Sequence, residues 1–239
     1  MEVKPIEVQS LKEACITQLE QMIICGELTI GERLPSERDF AARLNVSRPV
    51  LHQALVELEA KGLVRIVPRR GVYISDFRRD GSLAVLSSLL SYHNGRLAPG
   101  LWQSMIEMRL LLETETARLA ALQRSEDQLA VLRDVLAEEA RAADTSPEAL
   151  TDLDFEFHLS IAIASGNLVY PLMINSFKEV YTNLTGKFFR QYFGSEVVIE
   201  VHQFHEKLVA AIADQDPDSA AQTMSEMLAH GEGYLKGVT

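Results

Sequence analysis

The chain has 239 residues, 47% of them apolar and 24% charged, with a formal net charge of −11, a balance that excludes a disordered or low-complexity protein. The longest apolar runs, such as residues 83–90, fall well short of the roughly 20 residues that a membrane span requires. The opening Met1-Glu2-Val3-Lys4-Pro5 has no basic segment followed by an apolar stretch, so a cytoplasmic protein without a membrane partner is expected.

From Gln9 to Cys25, the apolar residues Leu11, Ile16, Leu19, Ile23 and Ile24 recur at helical spacing, and Gly26 ends the run. Cys15 and Cys25 share this helix and supply neither a disulfide framework nor a metal pair. After Leu34-Pro35, Ser36 is placed to cap a short helix reaching Leu44, with Asp39 where a capping box carries its acid. Asn45 tolerates the left-handed conformation of a tight helix-helix turn. Ser47 then caps a third helix to about Lys61, with Pro49 in its first turn and Gly62 as the stop. Residues 63–66 and 71–74 are short β-rich segments flanking a turn at 67–70, which reads as a hairpin. Three helices and a two-stranded wing make a winged helix-turn-helix, whose second motif helix lies in the major groove.

Everything after residue 80 is helical in pattern. Long stretches cover 82–93, 99–122, 125–143 and 147–165, and further helices fit 168–192, 195–214 and 217–236. The breaks fall at Asn94-Gly95, Ser146-Pro147, Ser165-Gly166-Asn167, Gly194 and Asp216-Pro217. The expected fold is mainly α, with a DNA-binding domain over residues 1–78 and an all-α helical bundle over 79–239 for effector binding and dimerisation. Charge divides at the same place. Residues 1–78 hold 11 Lys/Arg and 11 Asp/Glu, leaving 12 and 23 for the remainder. A DNA binder needs only a local positive surface, and Arg65, Arg69, Arg70, Arg78 and Arg79 cluster at the boundary.

The N-terminal unit resembles the GntR family through Leu34-Pro35-Ser36-Glu37-Arg38, Leu44-Asn45-Val46-Ser47-Arg48, Ala54-Leu55, Leu58-Glu59 and Lys61-Gly62-Leu63-Val64. The resemblance implies that Arg38, Ser47, Arg48 and the position of His52 contact phosphates and bases, while the wing, with Arg69 and Arg70, enters the minor groove. Physical chemistry agrees for the first three. Arginine forks suit guanine edges and phosphate, and a capping serine offers its hydroxyl and helix N-terminal amides to a phosphate. His52 stands where the family usually has Arg, and Arg69 replaces a wing glycine.

Residues 83–230 resemble the all-helical FCD domain of the FadR subfamily. The similarity is carried by residues 109–113 and 118–121, by Asp154-Phe155-Glu156-Phe157-His158, by Ala164-Ser165-Gly166-Asn167 and by residues 205–212. Asp154 and His158, four apart, share a helix face on which a carboxylate and an imidazole can converge on one ion. In many members that pair, with two histidines from the last helices, holds a divalent metal such as zinc or nickel, which an effector carboxylate completes. His205 matches the third ligand, but Met227 occupies the fourth position. A thioether suits such a site poorly, so three protein ligands would remain, or His230 would have to substitute. Without metal, Asp154, His158 and His205 would form a buried hydrogen-bonded trio.

Residues 165–170, Leu172, Asn175, Lys178, Tyr181 and Thr182 are also similar to members of the subfamily that sense long-chain fatty acyl-CoA in a metal-free cavity. Arg109, a cation among apolar neighbours, needs an anion: either Glu113 one turn away or an effector carboxylate. The candidate effector-binding residues are therefore Arg109, Asn175, Tyr181, Met227 and His230, and the effector is a carboxylic acid metabolite or an acyl-CoA. The resulting expectation is a homodimeric, effector-controlled transcription repressor or activator on pseudo-palindromic operator DNA. Two alternatives are a metal-dependent hydrolase using Asp154, His158 and His205, and a constitutive DNA binder with a structural bundle.

Overall fold

A computed structural model describes residues 10–92 and 99–235. The expected break at Asn94-Gly95 lies outside the described residues. The chain divides into two compact units, residues 1–95 and 96–239.

The first unit begins with α1 (Leu11–Ile24), closed at its start by a reciprocal capping box between Ser10 and Glu13. Helix α2 (Glu37–Arg43) starts from Ser36, whose Oγ accepts from the Asp39 amide at 3.3 Å. Asn45 takes φ +54°, which lets α3 (Arg48–Ala60) turn away sharply, with Ser47 capping its first turn. Strands β1 (Val64–Val67) and β2 (Gly71–Ile74) pair antiparallel with Val64 opposite Ile74, and Arg33 adds an isolated bridge to Tyr73. Leu19, Leu51, Leu55, Leu58 and Leu63 are almost completely excluded from solvent, each burial contributing roughly 1.5–3 kcal/mol.

A four-residue helix, α4 (Phe77–Asp80), and then α5 (Val85–Tyr92) follow the wing. Gly62 has φ +78°, and a Cβ there would lie 2.0 Å from the Asp80 carbonyl oxygen, so only glycine permits this approach. The compact unit extends beyond residue 78 because α5 packs on α1. Val85 is buried in the first core, and Lys61 Nζ reaches Glu20 at 2.6 Å and Ser88 Oγ at 3.3 Å.

The second unit contains only helices among its described residues: α6 (Pro99–Gln123), α7 (Glu126–Ala142), α8 (Pro147–Ala164), α9 (Tyr170–Ser176), α10 (Lys178–Tyr192), α11 (Glu196–Ala213) and α12 (Pro217–Leu235). The helix expected over 168–192 is two helices. Asn167 Oδ1 accepts from the Val169 amide at 2.8 Å, delaying the start, and a tight turn, Phe177 N to Ile174 O, separates α9 from α10. Fully buried Ala117, Ala120 and Ala121 on α6 allow close approach of neighbouring helices, and Phe157, Ile161, Leu208, Ile212 and Met224 complete this core.

Candidate metal and effector site, and the DNA-binding surface

Five helices of the second unit direct polar side chains into one apolar cavity of about 60 Å³ or onto the groups that line it. Helix α8 presents Asp154 and His158 one turn apart, and α11 presents His205. All three are buried, and one ligand atom from each lies within 4.8 Å of the others. Tyr181 of α10 and Arg109 of α6 line the same cavity with Ile106, Phe188 and Met227.

Each member of the trio is oriented by a buried partner. The Tyr181 hydroxyl donates to Asp154 Oδ2 at 2.8 Å, while Oδ1 faces His205 Nε2 at 3.8 Å. His205 donates from Nδ1 to Glu139 of α7 at 2.8 Å, and the Phe157 ring stacks on it at 3.9 Å. That leaves His205 Nε2 buried without a hydrogen-bond partner. His158 Nδ1 sits 2.5 Å from Glu113 Oε2, out of line for a straight hydrogen bond. Carboxylates behind imidazoles fix ring orientation and raise basicity, the arrangement that metal-ligating histidines use. The donor set, one carboxylate and two imidazoles with an orphaned nitrogen, fits a borderline divalent cation.

Arg109 takes Glu113 as its anion. Nε donates to Oε1 at 2.6 Å, another nitrogen reaches the Tyr181 oxygen at 3.3 Å, and the guanidinium lies 4.4 Å from the Tyr181 ring centroid. Burial opposes ionisation of Glu113, but the Arg109 charge and His158 outweigh it and draw its pKa down to about 2. For Glu139, burial is likewise overcome by His205 and His202, again to about 2. Burial and the neighbouring Asp154 carboxylate push the Tyr181 phenol well up, so it stays a donor. Burial works against a charged His205, yet Glu139 and Asp154 raise its pKa.

Of the other expected effector contacts, Met227 lines the cavity, whereas Asn175 is exposed on α9 and is not among the lining residues. His230 does not join the trio. Its Nε2 lies 3.0 Å from Glu200 Oε2, and its ring packs against Phe204 and Tyr234. Glu139, Glu113 in its contact with His158, and His202 were not expected at this site. An acid inside a helix whose neighbours are apolar is a weak signal, and nothing local says which helix it will face.

In the first unit, Arg38 on α2 has a side chain 90% exposed, and Arg48 and His52 share one exposed face of α3. Glu37 binds both, accepting from Arg48 Nε at 3.3 Å and from His52 Nδ1 at 3.0 Å. Burial raises the Glu37 pKa, but these two partners outweigh it and leave the pKa lowered. Ser47 Oγ caps α3. Arg69 adopts φ +62° in the hairpin turn, keeping the left-handed conformation natural to glycine, and Arg70 follows it. Glu59 Oε1 accepts from the Ile66 amide at 2.6 Å and ties the wing to α3.

Comparison with known families matches residues 11–74 to the bacterial regulatory proteins of the gntR family and residues 104–230 to the FCD domain. The chain belongs to the GntR family. This GntR-family chain is 32% identical to the HTH-type transcriptional regulator Mce2R of Mycobacterium tuberculosis, over 95% of this chain and 92% of that one. It is 28% identical to the HTH-type transcriptional repressor NanR of Klebsiella aerogenes, over 94% and 85%. Lar, which controls expression of the Listeria monocytogenes agr system, has the same fold, with a TM-score of 0.58 at 18% identity, covering 98% of this chain and 100% of that one. GntR-family regulators bind operator DNA and small-molecule effectors, and the relatives are transcription regulators, which sets the hydrolase alternative aside. Among the described residues, no helix is long and apolar enough to cross a membrane.

Proposed function

We propose that this GntR-family regulator senses a small carboxylate through a divalent cation held by Asp154, His158 and His205. The observation that carries the reading is the orphaned, buried Nε2 of His205 facing Asp154, with Glu139 and Tyr181 holding both groups in place. A bound zinc or nickel ion would supply a Lewis-acidic position for an effector carboxylate. Cavity size favours a small acid over an acyl-CoA. About 60 Å³ accommodates a few water-sized groups, since one water needs roughly 10–15 Å³ on this measure. With Arg109 already committed to Glu113, Thr185 and the apolar lining of Phe188, Phe189, Val201 and Leu228 set the shape that the effector must match.

The DNA-binding domain reads one half-site with α3 in the major groove, through Arg38, Ser47, Arg48 and His52, and with Arg69 and Arg70 of the wing on the minor groove. Two copies on a pseudo-palindrome complete the operator. Effector binding shifts the equilibrium between states of high and low operator affinity. The test is an operator titration of the full chain with zinc or nickel, with and without a panel of small carboxylates, alongside native mass spectrometry for dimer mass and metal. Equal DNA affinity in every arm would leave a constitutive binder, and the absence of metal retention would remove the cation from the reading.

A further inference from the structure

The contact between Glu37 and His52 determines more than where the imidazole points. An ionised carboxylate only accepts hydrogen bonds, so Nδ1, 3.0 Å from Glu37 Oε1, carries the ring hydrogen. In its neutral form the imidazole has one N–H, and Nε2 then carries a bare lone pair. The His52 side chain is 53% exposed, on the side of α3 away from buried Leu51, Ala54, Leu55 and Leu58. No protein partner for Nε2 is present among the described residues. Glu37 holds Arg48, one turn earlier, through its other oxygen, so the two side chains project from α3 as one braced pair.

We propose that His52 reads the operator as a hydrogen-bond acceptor, its Nε2 taking a hydrogen bond from the exocyclic amine of adenine or cytosine in the major groove, with Glu37 as the positioning residue that sets the tautomer. Guanine N7 and O6 and thymine O4 are acceptors and would meet the lone pair unfavourably. An arginine at residue 52 carries only donors and would select the opposite edge. The inference rests on α3 being the groove-reading helix of the proposed function.

The test starts with selection from random duplexes by the full chain at pH 8, above the range in which imidazoles ordinarily titrate. The same selection with His52→Ala identifies the base pair whose readout depends on residue 52. Duplexes are then made with the amine of that pair deleted, purine for adenine or 2-pyrimidinone for cytosine, or with the purine N7 removed as the 7-deaza base. Comparing wild type with His52→Ala on each duplex cancels the change in base-pair strength. Amine deletion is expected to weaken wild-type binding about fivefold more than His52→Ala binding, with no such difference for the 7-deaza base. In Glu37→Gln, whose amide can accept or donate, the amine dependence shrinks and N7 dependence emerges. The proposal is overturned if N7 removal rather than amine deletion separates wild type from His52→Ala, or if no base pair separates them. Amine dependence intact in Glu37→Gln would remove the role of Glu37. A wild-type chain that selects no sequence at all overturns the groove-reading assignment itself, a result distinct from a successful selection without a His52-dependent pair.

Discussion

Replacing Arg109 by alanine takes from Glu113 its main counter-charge inside the helical unit and leaves only His158 beside it. The two side chains are only 14% and 5% exposed and meet at 2.6 Å, so little water can take the place of the guanidinium. Breaking a buried pair from one side costs about 3–5 kcal/mol. The carboxyl points the same way: burial alone would raise its pKa, and Arg109, with His158 beside it, draws it down from 4.5 to about 2 instead. The native-state pKa is depressed, so this stabilisation is fully present above pH 4.5 and is lost as the pH falls towards about 2. The cost of Arg109→Ala should therefore be about 3 kcal/mol at pH 7 and shrink markedly by pH 3. Trp102, the single tryptophan, is buried in α6, and its fluorescence during urea unfolding follows the loss of packing around that helix. Arg109→Lys keeps the charge but loses the fork and should cost less, about 1 kcal/mol. The double replacement Arg109→Leu with Glu113→Leu should recover most of the loss, because it removes both charges. A cost below about 1 kcal/mol for Arg109→Ala at pH 7, or one that does not change with pH, would refute the account of Arg109 as the main partner of Glu113.

Glu139→Gln should lower zinc affinity about 10–100-fold in a chelator competition, while Asp154→Asn and His205→Ala abolish retention and leave effector-free operator binding intact. Because Glu139 and Asp154 raise the His205 pKa against the effect of burial, a metal competes with a proton there over a wider pH range than at an ordinary imidazole. Apparent zinc affinity should accordingly rise about tenfold per pH unit while His205 is protonated, as a pH series of the same competition would show. Gly62→Ala, forced to φ +78° with a Cβ 2.0 Å from the Asp80 carbonyl, should destabilise the first unit by more than about 2 kcal/mol, measured by hydrogen exchange in α3 and the wing. Arg38→Ala and Arg48→Ala should each weaken operator binding, and wherever the arginine neutralises a phosphate its removal should reduce the log-log salt slope by about one.

Much of this protein was legible in its sequence because the deciding signals are local. Ser36, Asn45 and Ser47 each act on backbone within four residues, and with Gly62 as the stop they delimit α2, the turn and α3. The 154/158 spacing similarly places a carboxylate and an imidazole on one face whatever the rest of the chain does. What lies across a helix pair was settled only by packing. The rotation and crossing of α6, α7, α8, α11 and α12 decide that Glu113 reaches His158, that Glu139 stands behind His205, and that His230 faces Glu200 instead of the ligand trio. The same holds for Glu37, whose two oxygens reach α3 only because the turn at Asn45 brings the two helices together. Helix periodicity tells a residue which side is buried, but the partner on that side is chosen by the summed shape of the core, where close packing admits few arrangements and no residue carries the choice alone.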